Sequence, residues 1–144
     1  MKILILFFFL LTSGLQAQVL WGVDLDSVEI TQNWDSQKDY NGNLLYSREN
    51  VGDFDYVSSN EFGFLFYRED PPDYMFREVF DYLTNIFGPV LITEDYTPKI
   101  NYNMETAAKV RMGKWKYDKE WHHGNKIVKL VWKENKLYVN CLFK

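Results

Sequence analysis

The run Lys126–Lys144, "KIVKLVWKENKLYVNCLFK", leaves little freedom to the chain that contains it. Val128, Leu130 and Trp132 alternate with Lys129, Val131 and Lys133, and Leu137, Val139, Cys141 and Phe143 alternate with Tyr138, Asn140, Leu142 and Lys144. A period of two in β-branched and aromatic residues marks strands. With Glu134-Asn135 as a two-residue turn, Trp132 meets Leu137, Leu130 meets Val139, and Val128 meets Cys141. All three apolar pairs then share one face. A one-residue slip would put the partners on opposite faces, so the pattern predicts the register together with the strands. The turn lacks the glycine that two-residue hairpins prefer, which leaves its type open.

A third strand precedes this hairpin. In Lys114–Trp121 the side chains of Trp115, Tyr117 and Trp121 share a face. A turn at Gly124-Asn125 pairs Trp121 with Val128 and Tyr117 with Trp132. A turn at His123-Gly124 pairs Tyr117 with Leu130 and Trp115 with Trp132. Either register gives a three-stranded antiparallel meander, with the odd-numbered aromatics on the core face and Lys119 the one misfit there.

Upstream, "EFGFLFYR" (61–68) places Phe62, Phe64 and Phe66 on one side of a strand. Phe54 and Tyr56 alternate with Asp53 and Asp55 in another, and Leu44–Arg48 is a third, after a turn at Asn41-Gly42-Asn43. Residues 19–40 admit either a strand or a short helix. Asp70-Pro71-Pro72-Asp73 opens a helix, with Asp70 as the expected N-cap and Pro71 at its first position. Phe76, Val79, Phe80, Leu83 and Phe87 form its apolar stripe, Arg77, Asp81 and Asn85 lie opposite, and Gly88-Pro89 ends it. A polar loop, 94–103, contains Pro98, and a short helix follows from Asn103 to Arg111 with Gly113 as its stop. The expected fold class is α+β: a curved antiparallel sheet ending in a three-stranded C-terminal meander, with one amphipathic helix (about 71–87) packed on one face.

The first 17 residues read differently. Met1-Lys2 is basic, Ile3–Leu11 is an apolar run of nine, and Thr12–Ala17 is a small-residue zone. A membrane-spanning helix needs about 20 apolar residues, so the segment reads as a secretory signal cleaved after Ala17. In style it resembles the export signals of Gram-negative bacteria. The expectation is one α+β domain over 18–144, periplasmic or extracellular, with no stable membrane anchor after cleavage. Cys141 is the one cysteine, so no internal disulfide forms and packing alone holds the domain.

Charge is divided along the chain. Residues 18–98 carry 16 acidic and 4 basic side chains; residues 99–144 carry 4 acidic and 11 basic ones. Antiparallel elements drawn from both halves are expected to interleave these charges. The other reading is a molecule with an acidic side and a basic side, whose field would steer charged partners.

"KEWHHGNK" (119–126) holds both histidines, His122 and His123. Successive strand residues point to opposite faces, so adjacent histidines in a strand cannot converge on one ion. In a loop they would still need further ligands, since zinc takes three or four protein ligands; Glu120 is the nearest carboxylate. Cys141 falls on the core face, where a thiol is neither reachable nor activated. No G-x-S-x-G elbow and no phosphate-binding glycine loop is present. The pairs Asp24/Asp26, Asp53/Asp55 and Glu94/Asp95 read as solvated surface. No catalytic, cofactor-binding or metal-binding residue is assigned. Lys114, Lys116, Lys126, Lys129, Lys133 and Lys136 form a basic stripe read as the wet face of the meander, able to dock an acidic protein or an anionic surface. An exported acidic chain is not expected to bind nucleic acid.

The functional reading is a small exported, non-enzymatic protein that binds another macromolecule, of inhibitor or immunity type, with a protein as partner. Two alternatives stand beside it. One is a hydrolase or metal-binding protein using His122 and His123 with acidic residues. The other is a carbohydrate-binding module using exposed tryptophans among Trp115, Trp121 and Trp132.

Overall fold

The computed structural model describes residues 19–25, 34–38, 41, 44–60, 62–93 and 104–143. The segment read as a secretory signal, loop 94–103 with Glu94 and Asp95, Asp26 and much of the undecided segment 19–40 lie outside the described residues. The described residues fall into two units, divided between Asn33 and Trp34. The first holds a small hairpin, β1 (Val19–Leu20) and β2 (Val23–Asp24), paired Leu20 to Val23. Its turn residues Trp21 and Gly22 have φ of 48° and 78°. Positive φ at both central positions is what a type I′ hairpin turn requires.

The second unit is an open antiparallel sheet of eight strands. In chain order these are β3 (Asp35–Lys38), β4 (Leu44–Val51), β5 (Phe54–Asn60), β6 (Gly63–Glu69), β7 (Ile92–Thr93), β8 (Lys116–His123), β9 (Lys126–Lys133) and β10 (Lys136–Phe143). In space they run β3-β4-β5-β6-β10-β9-β8-β7. The architecture is therefore α+β, ending in the expected terminal meander β8-β9-β10. The hairpin register is the one the alternation specifies: Trp132 opposite Leu137, Leu130 opposite Val139, Val128 opposite Cys141. At the other hairpin the Gly124-Asn125 turn prevails, pairing Trp121 with Val128 and Tyr117 with Trp132. Glu134 takes φ 53° in the glycine-free turn, so an ordinary side chain bears the left-handed conformation there.

Helix α1 (Met75–Phe87) lies on one face of this sheet, called here the inner face. Phe76 stacks on Trp132, with ring centroids 5.5 Å apart, and sits 5.0 Å from the Tyr117 ring; Phe80 lies 5.8 Å from Trp121. Trp121 Nε1 donates to Gly88 O at 3.0 Å, pinning the end of the helix to β8. Val57, Phe66, Leu130, Leu137, Val139 and Cys141 complete an inner face closed to water. Arg77 and Asp81 pair at 3.9 Å on the outward side of α1. A second helix, α2 (Met104–Arg111), is tied to the approach to α1 by Arg111, whose Nη2 reaches Asp73 Oδ1 at 2.6 Å and Pro71 O at 2.9 Å.

Several expectations are corrected. Helix α1 begins at Met75, not at Pro71, and its N-cap is Tyr74 without a side-chain cap bond. The residue before a proline is driven out of the α region, so Asp70 and Pro71, each followed by a proline, cannot start a helix. Asp70 instead takes φ 47°, and its N–H donates to Asn135 O at 2.8 Å. Gly88 ends the helix at φ 83°, ψ −162°, which is not the left-handed helical well but a region open essentially to glycine alone. Phe62 lies in the turn before β6 and is 64% exposed, away from the buried Phe64 and Phe66. Trp115 precedes β8 rather than joining it, and Lys109 Nζ sits 4.3 Å from its ring centroid.

The charge expectation also changes. Strands β3–β6 come from the acidic half, and β10, β9 and β8 from the basic half. Within the sheet the two blocks lie side by side and meet at β6–β10, while the short acidic-half strand β7 flanks β8 at the far edge and α1, from the same half, packs on β8 and β9. Among the long strands the two halves are thus grouped in blocks and not interleaved strand by strand.

Candidate interaction surface

Because side chains alternate, the even-numbered residues of β8 and β10 and the odd-numbered residues of β9 point to the outer face, opposite α1. Register then aligns them in rungs. One rung runs Lys116–Lys133–Lys136–Glu69, each directly opposite the next across β8, β9, β10 and β6. The adjacent rung runs Asp118–Val131–Tyr138–Tyr67–Tyr56. The third carries Glu120, Lys129, Asn140, Leu65 and Ser58.

Like charges directly opposite in a sheet are destabilising. The first rung nevertheless sets three lysines in a line. Its ends are partly neutralised: Lys116 Nζ lies 3.2 Å from Asp118 Oδ2, and Lys136 faces Glu69. Lys133, in the middle, is exposed and has a cation on either side. Such a strip attracts an anionic group.

The tyrosine rung beside it is partly exposed. Tyr56 and Tyr67 stack at 5.2 Å with 21° between their rings. The Tyr67 hydroxyl donates to the Glu69 carboxylate. That bond, with burial and the nearby negative charges of Glu69 and Asp55, pushes its pKa up to about 12. Burial and the charges of Asp55 and Glu69 raise Tyr56 as well. Both phenols therefore stay neutral and keep their protons over the physiological range. Tyrosine offers a large rigid contact area with a polar tip and is enriched where proteins meet.

The histidines separate as strand alternation requires. His122 is on the outer face, with Nε2 3.2 Å from Glu120 Oε2, and Lys129 Nζ is 3.4 Å from the other oxygen of the same carboxylate. His123 turns the other way, its ring 5.4 Å from Phe87 of α1. Among the described residues no three of His, Cys, Asp and Glu gather where they could hold a metal ion. Burial pushes the Cys141 thiol up to about 12, so it is held as a neutral core group. Asp55 has a structural task, accepting from the Glu69 N–H at 2.8 Å and pairing with Arg68 at 3.7 Å. Trp121 and Trp132 are each 1% exposed and offer no ring face to a sugar. Among the described residues no helix is long and apolar enough to cross a membrane.

Lys126 departs from the expected wet stripe, whereas Lys119 lies on the core face, where it was the expected misfit. Lys126 falls on the inner face, in step with Val128, and is buried with Nζ 3.3 Å from Asn125 Oδ1. Lys119 is buried too, its ammonium 5.8 Å from the centre of the Phe80 ring. The tyrosine rung escaped the sequence reading. Each of its members sits at a non-core position of its own strand, and only the pairing of β6 with β10 lines them up. No family model, no curated protein and no solved structure matches this chain.

Proposed function

We propose that this protein acts by binding an acidic protein through the outer face of its sheet, without catalysing a reaction. The observation that carries the reading is the Lys116–Lys133–Lys136 rung running alongside Tyr138, Tyr67 and Tyr56. The lysines supply long-range attraction and orientation. The tyrosines supply contact area at low conformational cost. The amino-terminal segment, read as an export signal, puts this encounter in the periplasm or outside the cell, as an inhibitor or immunity protein would need.

The test is a paired capture. The full chain and a Lys133→Glu/Lys136→Glu variant are used as baits in envelope extract at low and high salt. The same protein is expected to return repeatedly on the wild type and to be lost on the variant and at high salt. Recovery of the same proteins by both baits, or no specific protein on either, would refute the reading.

A further inference from the structure

A hollow of about 200 Å³ opens on the outer face, lined by Ser58, Phe62, Leu65, Asn140 and Leu142, with Gly63 at its floor. An apolar cavity of about 150 Å³ suffices to hold benzene, so this one has room for a side-chain ring. Its floor is glycine for a structural reason. Gly63 has φ 147°, and a Cβ there would stand 1.8 Å from Cys141 O. The close approach of β6 to β10 therefore keeps the position bare. Phe62, which also lines it, is 64% exposed, one of the few large apolar side chains left in water among the described residues. Ser58 and Asn140 add hydroxyl and amide groups to a largely apolar wall.

The hollow is continuous with the surface described above. Leu65 and Asn140 belong to the rung next to Tyr67 and Tyr138, and Lys129 lies directly opposite Asn140. We infer that this hollow is an anchor site for an aromatic side chain, presented by the partner on a segment with acidic residues beside the ring. This assignment rests on the proposed binding through the outer face. Interface energy concentrates where an aromatic anchor fills a pocket near the middle of the contact. The charge nearby bears on the chemistry of the ring's neighbours: Lys133, flanked by Lys116 and Lys136 two rungs away, and Lys129 beside the hollow, which shares Glu120 with His122, favour carboxylates flanking the ring.

The experiment titrates the full chain with synthetic probes and follows its backbone amide NMR signals. N-acetylphenylalaninamide is expected to shift the Ser58, Leu65, Asn140 and Leu142 signals, while N-acetylglycinamide leaves them in place. An acetylated Asp-Phe-Glu amide is expected to bind severalfold more tightly than the Lys-Phe-Lys analogue at low salt, with the difference lost in Lys129→Glu or at high salt. Leu142→Trp, which fills the hollow, should abolish the ring-dependent shifts; Ser58→Leu serves the same purpose should the larger ring disturb the fold. Shifts centred elsewhere, no shift up to the solubility limit, or unchanged shifts in a filled variant would overturn the anchor site. Equal binding of the two peptides would overturn the acidic flank. The probes need no natural partner, so a failed capture and a failed anchor site are separate results.

Discussion

Lys133 links stability to the proposed function. It stands between Lys116 and Lys136, directly opposite each. Lys133→Glu converts two repulsive cross-strand pairs into two attractive ones. A cross-strand pair contributes roughly 0.2–1 kcal/mol. The site is exposed, where ion pairs sit at the low end of that scale, so the four small changes amount to about 1 kcal/mol of stabilisation. In a domain of this size that corresponds to about 3–5 °C in Tm. Urea melts of wild type and variant in low salt measure it directly. The gain should shrink to a few tenths of a kcal/mol in about 1 M salt, where the screening length is about 3 Å. The same variant should bind the captured partner poorly. A variant no more stable than wild type in low salt, or a gain that survives high salt, would refute the claim that the rung stores repulsion. A gain in stability with capture unchanged would uphold the repulsion and remove its functional meaning.

Gly63→Ala should cost about 3 kcal/mol or more, because a Cβ 1.8 Å from Cys141 O forces β6 and β10 apart where no side chain can yield; a loss under about 1 kcal/mol in urea melts would contradict the geometry. Glu134→Gly should stabilise by up to about 1 kcal/mol, since glycine relieves the strain of φ 53° while giving back part of the gain in unfolded-chain entropy. Cys141 should resist thiol reagents at pH 8 and react at once in denaturant. Stability should also fall on going alkaline. The folded pKa of Cys141 is raised from 9.0 to about 12 and that of Tyr67 from 10.0 to about 12. The folded state thus holds protons the unfolded chain has released, and stability present below pH 9 is lost progressively toward pH 12. Cys141→Ala should flatten the part of the slope that begins near pH 9, and Tyr67→Phe the part that begins near pH 10. Unchanged slopes would contradict these assignments.

The terminal meander was legible because a strand has a period of two and a hairpin has a short loop. Faces, partners and register of Lys126–Phe143 all follow from adjacent residues. The stripe of α1 was legible for the same reason at a period of 3.6, as Phe76, Val79 and Leu83 bear out. Its start was not, because two consecutive prolines displace the first turn and Asp70 is spent on a bond to Asn135. The split of His122 from His123 needed only alternation. The hollow beside Gly63 was invisible, since it depends on two strands about 80 residues apart coming close.

The amino-acid sequence by itself determined the three strands of the terminal meander, with the faces of their apolar residues and the register of the last hairpin, and the apolar stripe of α1. These are local consequences of backbone period and turn length. Strand order was decided only by the tertiary structure. Setting β10 beside β6 closes a long loop, and no local pattern specifies that closure. That one pairing sets the long strands of the acidic half beside those of the basic half, brings Tyr67 and Tyr56 into line with Tyr138 beside the lysine rung, and makes an ordinary row of side chains into a surface with a direction.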